Sequence, residues 1–332
     1  MTYPWHIEAL NPPFGDPGFY LFNHASGQAL LFDLGDLHRL AAKELLKVSH
    51  IFISHAHIDH LIGFDQLLRL FLNQAKHLRL YGPPGIIAIV GHKLRGYSWN
   101  LTAHHDLRLT AHAVHETRIE QTTFACRHKF HPEPAISLPR PSSVICETST
   151  FSLAAATLDH GLDCLAFALQ EPPQIKILKP ELQKNNWLPG PWLSQLQRLL
   201  RHRMQNTAPP EPTLIEINGS SYPLQQVADT ITQIRPGLKI GYVTDTGCTP
   251  ENWRRLLPLL KDADMLLCEA AFLEAAADKA SVSKHLTAAQ AGRLAGQSRA
   301  KKLRLFHFSP RHAHQAAEFY RQAGEHFAGP ID

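Results

Sequence analysis

Residues 53–60 read ISHAHIDH, so three histidines and an aspartate fall within six consecutive positions. The run before them, VSHIFIS (residues 48–54), is short, β-branched and aromatic, the composition of a buried strand. The run after them, LIGFDQLLRLFL, has helical character. The cluster therefore occupies a turn from strand to helix, and the surrounding chain must be layered as α/β. His55 and His57 stand two apart, which in extended chain puts both imidazoles on one face, whereas a helix needs a spacing of three or four. Imidazoles and a carboxylate crowded in this way repel protons from one another unless a cation neutralises them, so the pattern predicts a metal site. With 22 histidines in 332 residues, a lone histidine elsewhere carries little weight.

At this length and 44% hydrophobic content the chain can bury one large α/β core or two modest ones. No apolar run approaches the roughly 18 residues of a membrane span, and MTYPWHIEAL lacks the basic start and apolar stretch of a signal peptide. A soluble, cytoplasmic protein with no membrane partner is expected. The five cysteines (Cys126, Cys146, Cys164, Cys248 and Cys268) are odd in number and widely spread, which argues against a disulfide framework or a cysteine zinc site. A formal charge of +4 permits a polyanionic partner without requiring one.

Further along, strand-like pieces alternate with turns and helices. A hairpin is expected at residues 24–27, after which ALLFDLG ends at Asp33. LRLYGPP reads as another strand, β-rich segments return over about residues 110–169, and His160 falls at a turn between two of them. Residues 171–212 change character: EPPQIKILKP, LPGP and TAPPEP bracket the helical WLSQLQRLLRHRM, an inserted arm or lid. Asn218-Gly219 marks a hairpin. Three later strands then end near Asp245 (LKIGYVTDTG), Glu269 (DADMLLCEAAF) and His307 (KLRLFHFSPRH). Strand ends meet on one rim of a sheet, so distant donors can converge there. His55, His57, Asp59, His60, His160, Asp245 and His307 together offer only nitrogen and carboxylate oxygen, which suits two borderline ions such as Zn²⁺ sharing Asp245, an arrangement used for in-line attack at phosphorus. In KHLTAAQAG, Thr287 and Gln290 have capping-box spacing, so a helix starts at Ala288 and leaves His285 just outside it.

The ordered string LLFDLG, ISHAHIDH, LDHG, YVTDTG, LLCEAAF, KHLTAAQAG and LFHFSPRH resembles the ribonuclease Z family, the tRNA 3′-end endonucleases of the metallo-β-lactamase fold, over about residues 18–315. That resemblance implies an α/β, four-layer αβ/βα sandwich in a single hydrolase domain over residues 1–332, with the basic, Pro-bracketed arm of residues 171–212 inserted in it. It implies two Zn²⁺ per chain, with Mn²⁺ as a substitute. His55, His57 and His160 match one ion's ligands, Asp59, His60 and His307 the other's, Asp245 the bridge, and Asp33 the structural carboxylate beneath. Asp59, His285 and Glu269 match the catalytic set, with His285 moving a proton to the leaving 3′ oxygen and Glu269 orienting it.

The family's arm grips the body of tRNA, commonly across a dimer, and its Gly/Pro-rich tip resembles LPGPWLSQL. Arg198, Arg201, Arg203 and, near His307, Arg311 are the candidate substrate contacts, with Lys176, Lys179 and Lys184 as further phosphate partners. NPPFGDPGFYL, FDLGD and HIDHLIGFD depart from the family's Gly/Ser-rich opening, FDCGEGT and HGDHxxGLP patterns; the donors survive, and the residues that change line the approach to the metals. The expected activity is a zinc-dependent phosphodiesterase removing 3′ trailers from precursor tRNA, or other RNA, by metal-activated water attack, as a homodimer. The alternatives are a hydrolase of this fold acting on a small phosphodiester, sulfate ester or lactone, and a noncatalytic nucleic-acid-binding relict.

Overall fold

The computed structural model describes residues 5–204 and 213–332; the TAPPEP end of the expected arm lies outside the described residues. Two antiparallel strands, β1 (Trp5–Ala9) and β2 (Phe19–Asn23), open the first sheet. The turn from β2 into β3 (Gln28–Phe32) forms where expected: Asn23 Oδ1 accepts the amides of Ala25 and Ser26 at 2.9 Å each, and Gly27 takes φ 70°. Then β3, β4 (Val48–Phe52), β5 (His77–Gly82) and β6 (Arg108–Val114) run parallel, and β7 (Arg118–Ala125) and β8 (Ile136–Pro139) close an eight-stranded sheet in sequence order. Between these strands lie α1 (Ala42–Leu45), α2 (Phe64–Phe71) and α3 (Ile86–Arg95).

A second sheet starts with β9 (Val144–Glu147), β10 (Ser152–Asp159) and β11 (Asp163–Gln170). Contacts then separate a second compact unit, residues 171–237, which holds β12 (Gln174–Ile177), α4 (Lys179–Lys184), α5 (Trp192–Met204), β13 (Leu214–Ile217), β14 (Ser220–Pro223), α6 (Leu224–Ile231) and β15 (Thr232–Arg235). This unit has its own core of Ile175, Leu182, Trp187, Trp192, Leu196, Leu200, Ile215, Ile217, Val227 and Ile231. The 171–212 arm supplies about half of that core, and the hairpin at Asn218-Gly219 and α6 supply the other half. The segment thus folds around its own apolar contacts and extends 25 residues past the arm's expected end, to Gly237.

The first unit resumes with β16 (Lys239–Val243), α7 (Pro250–Leu260), β17 (Met265–Glu269), α8 (Ala277–Ser283), α9 (Ala288–Gln297), β18 (Leu303–Phe306) and α10 (Ala316–Gly324). The six-stranded sheet has the order β18-β17-β16-β11-β10-β9. Period-two alternation sorts the strands' side chains into layers. On β3, Leu30 and Phe32 join Phe52, Phe167, Tyr242 and Phe306 in the core between the sheets, whereas Ala29 and Leu31 face the core built with α2 and α3. On β11, Leu165, Phe167 and Leu169 face inward, and Ala166 and Ala168 face the core with α7, α9 and α10. The result is helix–sheet–sheet–helix, the αβ/βα sandwich expected. No helix among the described residues is long and apolar enough to cross a membrane. The five cysteines are free thiols, all buried but Cys248.

Candidate metal centre

Strand direction explains why the donors meet. In the second sheet β16, β17 and β18 are parallel, so Asp245, Glu269 and His307, at or just beyond their C-terminal ends, share one rim. Since β11 is antiparallel to β16 and β10 antiparallel to β11, β10 delivers His160 to that same rim. The first sheet adds Asp33 after β3 and residues 54–60 after β4. Three of these positions, Asp33, Asp245 and His307, take φ of 52°, 41° and 61°, a conformation that costs energy for a residue with a Cβ and persists at functional sites when the surroundings enforce it.

The donor atoms gather around Asp245, which is 2% exposed. Its Oδ2 lies 3.5 Å from Nε2 of each of His55, His60 and His160, and its Oδ1 lies 2.8 Å from His307 Nδ1. Asp59 Oδ2 stands 3.5 Å from His60 Nε2 and 3.3 Å from His307 Nε2. Among the described residues, three sets bring ligand atoms within 4.8 Å of one another: His55, His57, His160 and Asp245; Asp59, His60 and His307; and Asp245, Glu269, His285 and His307. Nε2 of His55 and of His60 are buried without a hydrogen-bond partner. An unsatisfied buried nitrogen costs about 1–3 kcal/mol. Two of them aimed at one carboxylate fit a shared cation, and the nitrogen and oxygen donors fit a borderline or hard divalent ion.

Beneath the donors, the buried Asp33 carboxylate organises the first sheet's contribution. Its Oδ1 accepts the Ser54 amide at 2.7 Å, and its Oδ2 accepts the Ser54 hydroxyl at 2.8 Å and the Tyr242 hydroxyl at 2.6 Å. His60 Nδ1 lies 2.9 Å from the same oxygen, so the proton of a neutral ring stays on Nδ1 and Nε2 faces the centre. His160 is set in the same way, with Nδ1 2.8 Å from the Lys284 carbonyl. Glu269, fully buried, accepts the Thr246 amide at 2.7 Å and meets His285 Nδ1 at 2.8 Å. The capping box forms as expected, with Thr287 at the N-cap of α9 and His285 two residues outside it.

The electrostatics follow from this crowding. Burial and the neighbouring His60 push the His55 imidazole down to about 2. Burial pushes His60 down too, but the carboxylates of Asp245 and Asp33 outweigh it and hold His60 up at about 10. Burial raises Asp59, and His307 and His60 more than offset it, to about 2. His285 is lowered by burial and raised more strongly by Glu269, so it lies above the usual histidine value. A cation held by these nitrogens replaces protons, and its binding therefore releases them.

The remaining candidates lie elsewhere on the chain. Arg198 and Arg201 are exposed on α5, and Arg203 donates to Gln225 Oε1 at 2.6 Å, all within the second unit. Arg311 is exposed in the short turn Pro310–Gln315 that follows His307. Residue types alone did not single out Ser54, Tyr242, Lys284 or Asn252. Asn252 is 1% exposed; it accepts the Asp159 amide at 2.9 Å, and its Nδ2 lies 2.9 Å from both Thr246 Oγ1 and the Gly247 carbonyl, tying the His160 turn to the Asp245 loop. The available signal was its place as third residue after the helix-capping Thr249.

Comparison with known proteins gives the following likenesses. The profile of the beta-lactamase superfamily domain matches residues 21–150. Ribonuclease Z of Deinococcus radiodurans is 31% identical over 289 residues, covering 85% of this chain and 83% of that relative. The metallo-beta-lactamase fold protein YhfI of Bacillus subtilis superposes with a TM-score of 0.57 at 14% identity, covering 99% of this chain and 95% of that one. Human tRNase Z, short form, superposes with a TM-score of 0.50 at 19% identity, covering 94% and 90%.

Proposed function

Since this chain belongs to the ribonuclease Z family, we propose that it is a metal-dependent endoribonuclease that removes 3′ trailers from precursor tRNA and leaves a 3′-hydroxyl. The observation that carries this reading is the convergence of four histidines from three strand ends on one buried aspartate, with imidazole nitrogens left unpartnered. Two Zn²⁺, or Mn²⁺ in their place, suit the donor set. His55, His57 and His160 would hold one, Asp59, His60 and His307 the other, and Asp245 both. Bound there, the ions supply Lewis acidity and neutralise charge at the scissile phosphate.

The chain's own residues account for the proton. Glu269 occupies His285 Nδ1, which leaves Nε2 as the atom that faces substrate and hands a proton to the departing 3′ oxygen. Because Glu269 raises the His285 value, the ring stays charged further into the neutral range. Asp59 lies between His60 and His307 and keeps its carboxylate ionised as a ligand and acceptor. In the second unit, Arg198, Arg201 and Arg203, with Lys176, Lys179 and Lys184, would pair with phosphates of the tRNA body, and Arg311 with phosphate nearer the cut. The active form in this reading is a cytoplasmic homodimer.

The test is incubation with a precursor tRNA carrying a 3′ trailer, scored for cleavage after the discriminator base, beside a small bis-phosphodiester. Cleavage at that single position is expected. Turnover of the small ester alone would transfer the reading to a small-substrate hydrolase of the same fold. Reversing the charge of Arg198, Arg201 and Arg203 is expected to raise KM for precursor tRNA about tenfold and flatten its salt dependence, with the small ester turned over at the parent rate. An unchanged KM would leave the second unit without a part in tRNA recognition.

A further inference from the structure

The turn that carries His160 is gripped through a single residue of the segment that carries His285. Both carboxylate oxygens of Asp159 lie 2.7 Å from Lys284 Nζ, and Asp159 Oδ1 also accepts the Gly161 amide at 2.7 Å. The main-chain carbonyl of the same Lys284 accepts from His160 Nδ1 at 2.8 Å. Lys284 thus touches the turn twice, once by charge and once by backbone, and is bonded directly to His285. It caps α8 in the left-handed conformation, φ 55°, where the cap amides bond back to the Ala280 and Ser281 carbonyls. The rings of His160 and His285 stand 4.9 Å apart, centroid to centroid. On its far side the turn is fixed by Asn252, which accepts the Asp159 amide and reaches Thr246 and Gly247.

The Lys284 and Asp159 side chains are 37% and 57% exposed. An ion pair in that setting adds little to folding stability. Its effect is on position: it holds residue 284 so that the carbonyl faces His160 Nδ1, keeps the proton on that nitrogen, and leaves Nε2 directed at Asp245. Loss of the ammonium removes the side-chain hold on residue 284, which carries both the carbonyl that meets His160 and the peptide bond to His285. We propose that Lys284, paired with Asp159, is a positioning residue that couples the metal-ligating orientation of His160 to the placement of His285. The inference rests on the roles given above to those two histidines.

The test uses Lys284→Ala, Asp159→Asn and Lys284→Arg in the full chain. Metal affinity is measured by competition with a chelator, the ligand field by the absorption spectrum of the cobalt-loaded protein, and turnover with both precursor tRNA and a small bis-phosphodiester. Lys284→Ala and Asp159→Asn are expected to weaken one of two metal equivalents by about 10- to 100-fold, to alter the cobalt spectrum, and to lower kcat on either substrate more than they change KM. Lys284→Arg retains the cation and is expected to restore both readouts. The thermal midpoint of the metal-free protein should stay within about 2 °C of the parent, as befits an exposed pair. Parent-like metal affinity and kcat in Lys284→Ala would overturn the proposal. So would a change confined to KM for precursor tRNA, which would place Lys284 on the substrate, or a fall in the metal-free midpoint shared by Lys284→Arg, which would make the residue a structural prop. Weakened metal binding in a protein whose parent form leaves precursor tRNA uncut would support the clasp and overturn the assigned substrate.

Discussion

Strand β4 holds one buried histidine at its centre, His50, and leads three residues past its end to another, His55, and their surroundings differ. His50 lies among rings, with Phe52 stacked at 6.2 Å and Phe151 edge-on at 5.6 Å, and its Nδ1 is 2.9 Å from the Ser49 hydroxyl. On β6, His112 is similar, stacked on Tyr81 at 4.1 Å with Nδ1 3.2 Å from the Leu80 carbonyl. Burial first, and the Arg79 charge with it, lowers both to about 4, so each is a neutral, satisfied ring packed like an aromatic. His55 is also kept neutral by burial, yet its Nε2 lies 3.5 Å from a carboxylate with no hydrogen bond to complete it, and three further imidazoles crowd its ring. Burial alone makes a histidine inert. It becomes a donor where strand ends bring carboxylates and unpaired nitrogens together.

The contrast breaks most visibly at Asp245. Asp245→Ala is expected to remove metal from both positions and lower turnover on the order of 10³-fold, measured by elemental analysis and cleavage rate. Retention of one full equivalent would mean that the rim holds two independent sites. His285→Ala separates proton transfer from ligation: both ions should remain while turnover drops by roughly 10²-fold, and loss of metal would place His285 among the ligands.

A smaller effect is expected from Glu269→Gln. Glu269 holds His285 above its ordinary value, and a proton donor is active below its pKa and lost as pH rises through it. Removing the charge lets burial lower the ring, so the alkaline limb of the rate profile should move to lower pH. A limb that stays in place would assign that titration to another group.

The smallest effect belongs to the ring-packed pair. Folded values of about 4 against 6.5 in the unfolded chain mean that the unfolded state binds more protons between those values. Their stabilising contribution is full above pH 6.5 and lost as pH falls towards 4, by up to about 3 kcal/mol each. Chemical denaturation across that range should show His112→Phe losing less than the parent, with both metal equivalents retained. Loss of metal in that variant would erase the distinction between ring-packed histidines and donors.

The donors were legible because ligand types that rarely crowd together recur where strands end: ISHAHIDH after VSHIFIS, TDTG after LKIGYV, HFSPRH after KLRLF. Ser54, Tyr242 and Asn252 were not legible, although Ser54 lies inside the motif. A serine, a tyrosine and an asparagine have many uses, and only a partner far along the chain selects one, as when Tyr242 meets Asp33 across 209 positions. Prolines bracketing α5 in the second unit predict an arm that ends near residue 212. Its real extent depends on Ile215, Ile217, Val227 and Ile231 closing one core with Trp192 and Leu196, a long-range pairing that local composition does not record.

What the sequence determined by itself is the chemistry and the layering: which nitrogen and oxygen donors exist, that they follow strands, and that strands with period-two apolar faces must be covered by helices. What only the tertiary structure decided is direction. The parallel run of β16, β17 and β18, and the double reversal through β11 and β10, put Asp245, Glu269, His307 and His160 on one rim. The Asp33 carboxylate and the Lys284 carbonyl then choose which imidazole nitrogen keeps its proton. The physical reason is that a side chain's type is a local property, whereas a tautomer, an unpartnered nitrogen and a shifted pKa are set by atoms that folding brings within about 3 Å from elsewhere in the chain.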